Sequence, residues 1–337
     1  LEAGVCTVSR GWELKINKNK EGMMMRLKLI LSTVTIMLFV CLTPAASTET
    51  YYVCPETGDD SAAGTEFEPL LTISQAVGRS TDEDVIILMP GIYSGLDNMN
   101  IDPSGKAITI RGSDPDCPDT VSATVMDPND QRGRAFTFES GEGPDTVIEG
   151  ITIRNFTGFA GQDGGAIFTT NNSSPLFRNC IIKNNSSQRW GGVIWVGQQS
   201  HPAFINCLII GNNASDGGVA EIDAGIATFR NCRILSNNAD LYAGFLNCFR
   251  GTANIKNCTV IGNSAEKGGA VSLTHGGGVH IKNSIFRANL ANNGNNIFIE
   301  KGLADPSESV IGYSNIEGLK QSVYIDPAFE EPDAIIV

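Results

Sequence analysis

Three successive stretches decide the architecture: GVIWVGQQSHPAFINCLIIGN at Gly192–Asn212, GVAEIDAGIATFRNCRILSN at Gly218–Asn237 and GFLNCFRGTANIKNCTVIGN at Gly244–Asn263. Each runs from small residues through a short apolar strand and a turn to a second strand ending in Asn-Cys, then a third strand and Asn. Further copies occupy Gly165–Asn185 and Gly269–Asn289, and a degenerate copy starts near Gly294. A period of about 26 residues is the signature of a solenoid, in which each repeat is one turn of a coil.

The apolar residues alternate within each copy, which is the period of a strand with one buried face. In the first strand, Ile167, Ile194, Ala220, Leu246 and Val271 form one inward column, and Thr169, Val196, Ile222, Cys248 and Leu273 form the next. The second strand contributes Phe177, Phe204, Phe229, Ile255 and Ile281. The third contributes Cys180, Cys207, Cys232, Cys258 and Ser284, followed by Ile182, Ile209, Ile234, Val260 and Phe286. Three short strands per turn can bury such faces only if turns stack in register, about 4.8 Å apart, as a parallel β-helix. Each buried Ile or Phe stabilises by roughly 2 kcal/mol, so one turn alone is marginal and a stack is stable.

The same columns assign the Asn and Cys residues. Asn179, Asn206, Asn231, Asn257 and Asn283 fall at the corner after the second strand, where Asn tolerates left-handed backbone angles and can bond to neighbouring turns. Asn185, Asn212, Asn237, Asn263 and Asn289 mark the corner after the third. Of the nine cysteines, Cys180, Cys207, Cys232 and Cys258 recur on an inward column. Parallel Cβ vectors about 4.8 Å apart exceed the roughly 3.8 Å of a disulfide, so these read as buried thiols. Cys54 and Cys117 lie outside the ladder, and both a bridge and free thiols are compatible with the sequence.

Residues 23–46 have a basic start at Arg26 and Lys28, an apolar stretch from Leu29 to Leu42 and small residues at Ala45, Ala46 and Ser47. That is the layout of a secretory signal peptide, too short in its apolar part for a membrane span, so the expected location is secreted or cell surface and not transmembrane. Residues 1–22 then read as upstream sequence outside the fold. Removing residues 1–46 deletes six Lys/Arg and three acids and moves the net charge from -13 to -16. So acidic a surface repels phosphate backbones and excludes nucleic acid as the expected partner, leaving neutral glycans, cations or proteins.

The chain resembles the right-handed parallel β-helix proteins of the pectate-lyase-like superfamily, particularly the secreted bacterial type. The resemblance rests on the repeats and on an opening module with Tyr51-Tyr52-Val53, Gly58-Asp59-Asp60, Pro69-Leu70-Leu71-Thr72-Ile73 and Pro90-Gly91-Ile92-Tyr93. It implies an all-β, single-stranded right-handed parallel β-helix with three short strands per turn over residues 51–329. It also implies an N-terminal helical cap around Thr72–Val77. Asp326-Pro327-Ala328-Phe329 looks like the exit from the coil, so residues 330–337 read as a truncated C-terminal end.

In that superfamily many members bind extended polysaccharide on the outward face of the first strand. Here that face reads Phe168, Trp195, Glu221, Asn247 and Ser272, then Thr170, Gly197, Asp223, Phe249 and Thr274. Phe168 and Trp195, with Asn247 and Phe249, are candidate substrate-binding residues, and the two aromatic rings equally suit a contact beneath the loop at 158–163 or between proteins. Glu221 and Asp223, with Cα atoms about 6.6 Å apart, suit the acid and base of an inverting hydrolase or are solvated strand residues. A lyase would require a bound cation, usually Ca2+, and a base, for which Arg250 is the candidate. No metal site is read from the residues, and neither the polygalacturonase motif set nor a cluster of acids on adjacent turns occurs. The leading expectation is polysaccharide binding without a decisive catalytic set. The alternatives are a lyase or hydrolase acting on acidic polysaccharide, and a non-catalytic adhesion repeat.

Overall fold

The computed structural model describes residues 47–300, 309–318, 322–325 and 335–336. The expected signal peptide, the upstream residues and Asp326–Phe329 lie outside the described residues. Among the described residues the strands form three parallel sheets of eight, eleven and nine strands, corresponding to the first, second and third strand of each turn. The first-strand sheet contains Ile167–Thr169, Ile194–Val196, Ala220–Asp223, Leu246–Phe249 and Val271–Thr274, paired in the register the columns require. Trp195 thus lies beside Phe168 on one side and Glu221 on the other. The expected parallel β-helix is present, and pairing in the second-strand sheet continues to Ile335–Ile336.

The inward columns form one continuous core. Phe177, Phe204 and Phe229 are fully buried and stack ring on ring with centroids 5.0 Å apart at each step. The Cys180, Cys207, Cys232 and Cys258 thiols are buried beside them and free, and Cys54 and Cys117 are free as well. Asn185, Asn212, Asn237, Asn263 and Asn289 form an interior ladder in which each amide oxygen accepts both the backbone N–H and the side-chain Nδ2 of the preceding Asn at 2.9–3.1 Å. The corner residues Asn179, Asn206, Asn231, Asn257 and Asn283 take φ of 50–56°, the left-handed region that Asn tolerates.

The Gly pair that opens four of the copies has two separate causes. Gly164, Gly191, Gly217 and Gly268 adopt φ of 63–73°, and a Cβ there would lie 2.1–2.3 Å from the carbonyl oxygen three residues on. The second glycine abuts the backbone of the next turn, where a Cβ on Gly165 or Gly192 would approach a carbonyl to 2.2 Å. At the N-terminal end, helix α1 (Ile73–Arg79) closes the coil with Ile73, Ala76 and Val77 buried. Thr72 caps it, its hydroxyl accepting from Gln75 N, while Asp60 accepts from Leu71 N and Thr72 N.

One irregularity positions the site. After the third strand, Asn213–Asp216 and Asn238–Tyr242 pair as a short fourth ribbon, with a register shift between Ala214 and Asp216. Single bridges extend it, so that Trp190, Asp216, Tyr242 and Lys267 stand in register on successive turns. These residues immediately precede the small pair of each copy and form a wall beside the outward face of the first strand.

Candidate functional site

Between that wall and the first-strand face lies a cleft of about 300 Å³, lined by Trp190, Asp216, Glu221, Asp223, Tyr242, Asn247, Phe249, Arg250, Thr274, His275 and Glu300. Its floor is a short chain of hydrogen-bonded polar side chains. Thr274 Oγ1 donates to Asn247 Oδ1 at 3.2 Å, and Asn247 Nδ2 donates to both oxygens of Glu221 at 3.1 Å. All three are buried, Glu221 being only 4% exposed. The expectation of a solvated Glu221 is therefore corrected, because the flanking wall takes the outward face out of water.

Burial pushes the Glu221 carboxyl well above the usual range. The Asn247 donor opposes this, and the charges of Asp216, Asp223 and Asp163 add to it. Asp216 is also raised by burial, against hydrogen bonds from Tyr242 N and the Trp190 side chain. Asp223 instead forms an ion pair with Arg250 at 2.7 Å. Two carboxyl groups on one strand thus stand in opposite environments, one buried without a counter-ion and the other paired. Such a difference separates an acid from a base.

The remaining groups form the rim. Tyr242 OH donates to Glu300 Oε1 at 2.8 Å, and His275 Nδ1 lies 3.5 Å from Glu300 Oε2. Arg250 lies over the Phe249 ring at 4.5 Å, and His275 packs on the same ring at 4.4 Å. Lys267, next along the wall, donates from Nζ to Tyr242 OH at 3.3 Å.

Of the residues singled out from the sequence, Glu221, Asp223, Arg250, Asn247 and Phe249 come together in this cleft, whereas Phe168 and Trp195 do not line it. Their rings stack on each other at 4.9 Å and 13°, and the Arg134 guanidinium covers Phe168 at 4.5 Å, with Phe159 also in contact with that cation at 5.3 Å. Of the three expectations for this pair, substrate binding, packing beneath the loop and a contact between proteins, the geometry lies nearest the second: the covering group is Arg134, whose guanidinium donates to the loop carbonyl of Asp163 at 2.6 Å. Arg250, the candidate base for a lyase, has its guanidinium engaged with Asp223 at 2.7 Å. Sequence reasoning missed Trp190, Asp216, Tyr242, His275 and Glu300. The position before each small pair varies as sharply as the first-strand face, and that variation was the available signal for the first three.

A calcium ion does not fit these side chains. Among the described residues no three Asp, Glu, His or Cys converge as a metal site. Both Glu221 oxygens are engaged by Asn247, and burial favours the neutral forms of Glu221 and Asp216.

Residues 93–247 match the family model described as a right handed beta helix region. That match agrees with the three parallel sheets: the chain is a right-handed parallel β-helix. This β-helix is 38% identical over 73 residues to pectate lyase PEL9 of Emericella nidulans, a match covering 22% of this chain and 18% of that protein. The match therefore spans about a fifth of the curated relative's length. Among solved structures, pectate lyase Pel9A aligns at 17% identity with a TM-score of 0.49, covering 83% of this chain and 75% of the other. The pectin methylesterase from Aspergillus niger aligns at 14% identity and a TM-score of 0.45, covering 85% and 98%. Among the described residues no helix is long and apolar enough to cross a membrane.

Proposed function

We propose that this β-helix acts on a polysaccharide, which it takes into the cleft between the first-strand face and the Trp190–Tyr242 wall. The observation that carries the reading is the cleft itself, a polar floor of Glu221, Asn247 and Thr274 flanked by Trp190, Tyr242 and Phe249. Aromatic walls with a few convergent polar groups suit a sugar, whose C–H faces are apolar and whose edge carries hydroxyls. Export to the cell surface or medium, suggested by residues 23–46, belongs to the same proposal.

The contrast between Glu221 and Asp223 favours hydrolysis as the second reading. The Asp223 carboxylate would take a proton from water as its oxygen attacks the anomeric carbon. Neutral Glu221 would give its proton to the leaving oxygen as the glycosidic bond breaks. Elimination is less well served, because its candidate base, Arg250, is a guanidinium held protonated against Asp223.

Calorimetric titration with a panel of soluble polysaccharides, alongside assays for new reducing ends and for unsaturated products by ultraviolet absorbance, tests both readings. Trp190→Ala weakens binding about tenfold or more, while Trp195→Ala, outside the cleft, leaves affinity unchanged. If no polysaccharide binds the folded protein, or if the two variants behave alike, the cleft is not the site. New reducing ends abolished by Glu221→Gln support hydrolysis; binding without product leaves a binding protein.

A further inference from the structure

We infer that the cleft selects neutral glycans and rejects uronate polymers, an inference that rests on the cleft being the glycan site. Its described lining holds four carboxyl groups, Asp216, Glu221, Asp223 and Glu300, against a single permanently charged cation, Arg250. That cation is already matched by Asp223 at 2.7 Å, and His275, the other basic residue, faces Glu300. A uronate chain brings a carboxylate on every sugar. Each would lose water beside Asp223 and Glu300 with no uncommitted cation in the lining to receive it.

A bound divalent ion is the usual way to reconcile acidic walls with an anionic ligand, and the lining lacks a convergent donor set for one. The neutral part of the lining suits a sugar's ring faces and hydroxyl edge: the Trp190, Tyr242 and Phe249 rings stand beside the Asn247 amide and the Thr274 hydroxyl, which are hydrogen-bonded to each other. The choice of substrate class also bears on chemistry. Elimination needs the acidic proton beside a uronate carboxylate, so a neutral ligand leaves hydrolysis or binding alone.

The Asp223–Arg250 pair makes the inference testable within the cleft. Removing the Asp223 charge frees the guanidinium at the mouth, where it can meet a ligand carboxylate. The experiment titrates wild type and Asp223→Asn, both checked for folding by circular dichroism, with xylo-, cello- and galacto-oligosaccharides and with oligogalacturonate, each with and without added calcium. The expected result is that wild type binds at least one neutral oligosaccharide and oligogalacturonate at least about tenfold more weakly, and that Asp223→Asn narrows the gap by about tenfold. Tighter binding of oligogalacturonate by wild type, with or without calcium, overturns the neutral selection and leaves the glycan cleft standing. An unchanged gap in Asp223→Asn also overturns the inference, because rejection would then not arise from the committed cation. Failure of every oligosaccharide to bind removes the inference together with the site.

Discussion

Two hydrogen-bonded columns run across the same turns, and they differ in one respect. The interior ladder from Asn185 to Asn289 repeats one residue five times, so every amide both gives to and receives from its neighbours. The outward chain Glu221–Asn247–Thr274 uses three different residues over three turns, steps from one column to the next at Thr274 and places an acid at one end. Both are buried. The uniform column satisfies itself and stabilises the coil, whereas the mixed column leaves a proton and a carboxyl beside a cleft. Repetition marks scaffold here, and its loss marks the surface where chemistry can sit.

Breaking the uniform ladder has the largest effect. Asn237→Ala leaves the Asn212 backbone N–H without an acceptor and Asn212 Nδ2 with Ile182 O alone, and leaves Ile209 O and Asn263 Oδ1 without the side-chain donor they share. Each buried orphan costs about 1–3 kcal/mol, partly offset by relaxation, so a net loss of about 3–5 kcal/mol is expected in denaturant unfolding. A loss below about 1 kcal/mol would show that the ladder ornaments the coil and does not hold it.

The mixed column differs in being sensitive to pH. A carboxyl raised on folding keeps its proton where the unfolded chain has released one. Its contribution is therefore complete below the unfolded value near 4.5 and is lost as pH rises towards the folded value. In Glu221→Gln that dependence vanishes. The wild type should lose stability relative to the variant by up to about 1.4 kcal/mol per pH unit above pH 4.5, read from urea midpoints across pH. Parallel curves would mean that Glu221 is not buried in its neutral form.

Most of the fold was legible because its cause is local and repeated: alternation sets the strand face, the period sets the stack, and Asn and Gly mark corners whose backbone few other residues adopt. The site was legible only in part. Glu221, Asp223, Asn247, Phe249 and Arg250 emerged as departures from the repeat, but their burial depends on the fourth ribbon at Asn213–Asp216 and Asn238–Tyr242. That ribbon has no apolar alternation strong enough to announce itself. Its wall converts a solvated face into a cleft and raises Glu221. The same limit explains Phe168 and Trp195, whose covering cation, Arg134, comes from a preceding turn that no repeat column identifies.

The smallest change sharpens the comparison most, because it leaves both carboxyl groups of the strand in place. Thr274→Val removes one hydroxyl, whose single proton serves either Asn247 Oδ1 at 3.2 Å or Cys248 O at 3.4 Å. The expected stability loss is about 1 kcal/mol, comparable to one buried neutral hydrogen bond. If the mixed column only holds the coil together, glycan affinity stays at the wild-type value once the protein is folded. If it positions the site, Asn247 gains rotational freedom, its hold on Glu221 loosens and affinity for neutral oligosaccharides falls about threefold, with the Glu221-dependent stability profile moving to higher pH as the Asn247 donor is weakened. A stability loss accompanied by neither change would place the outward chain with the interior ladder as scaffold, and would confine function to the rim of Asp223, Arg250, His275 and Glu300.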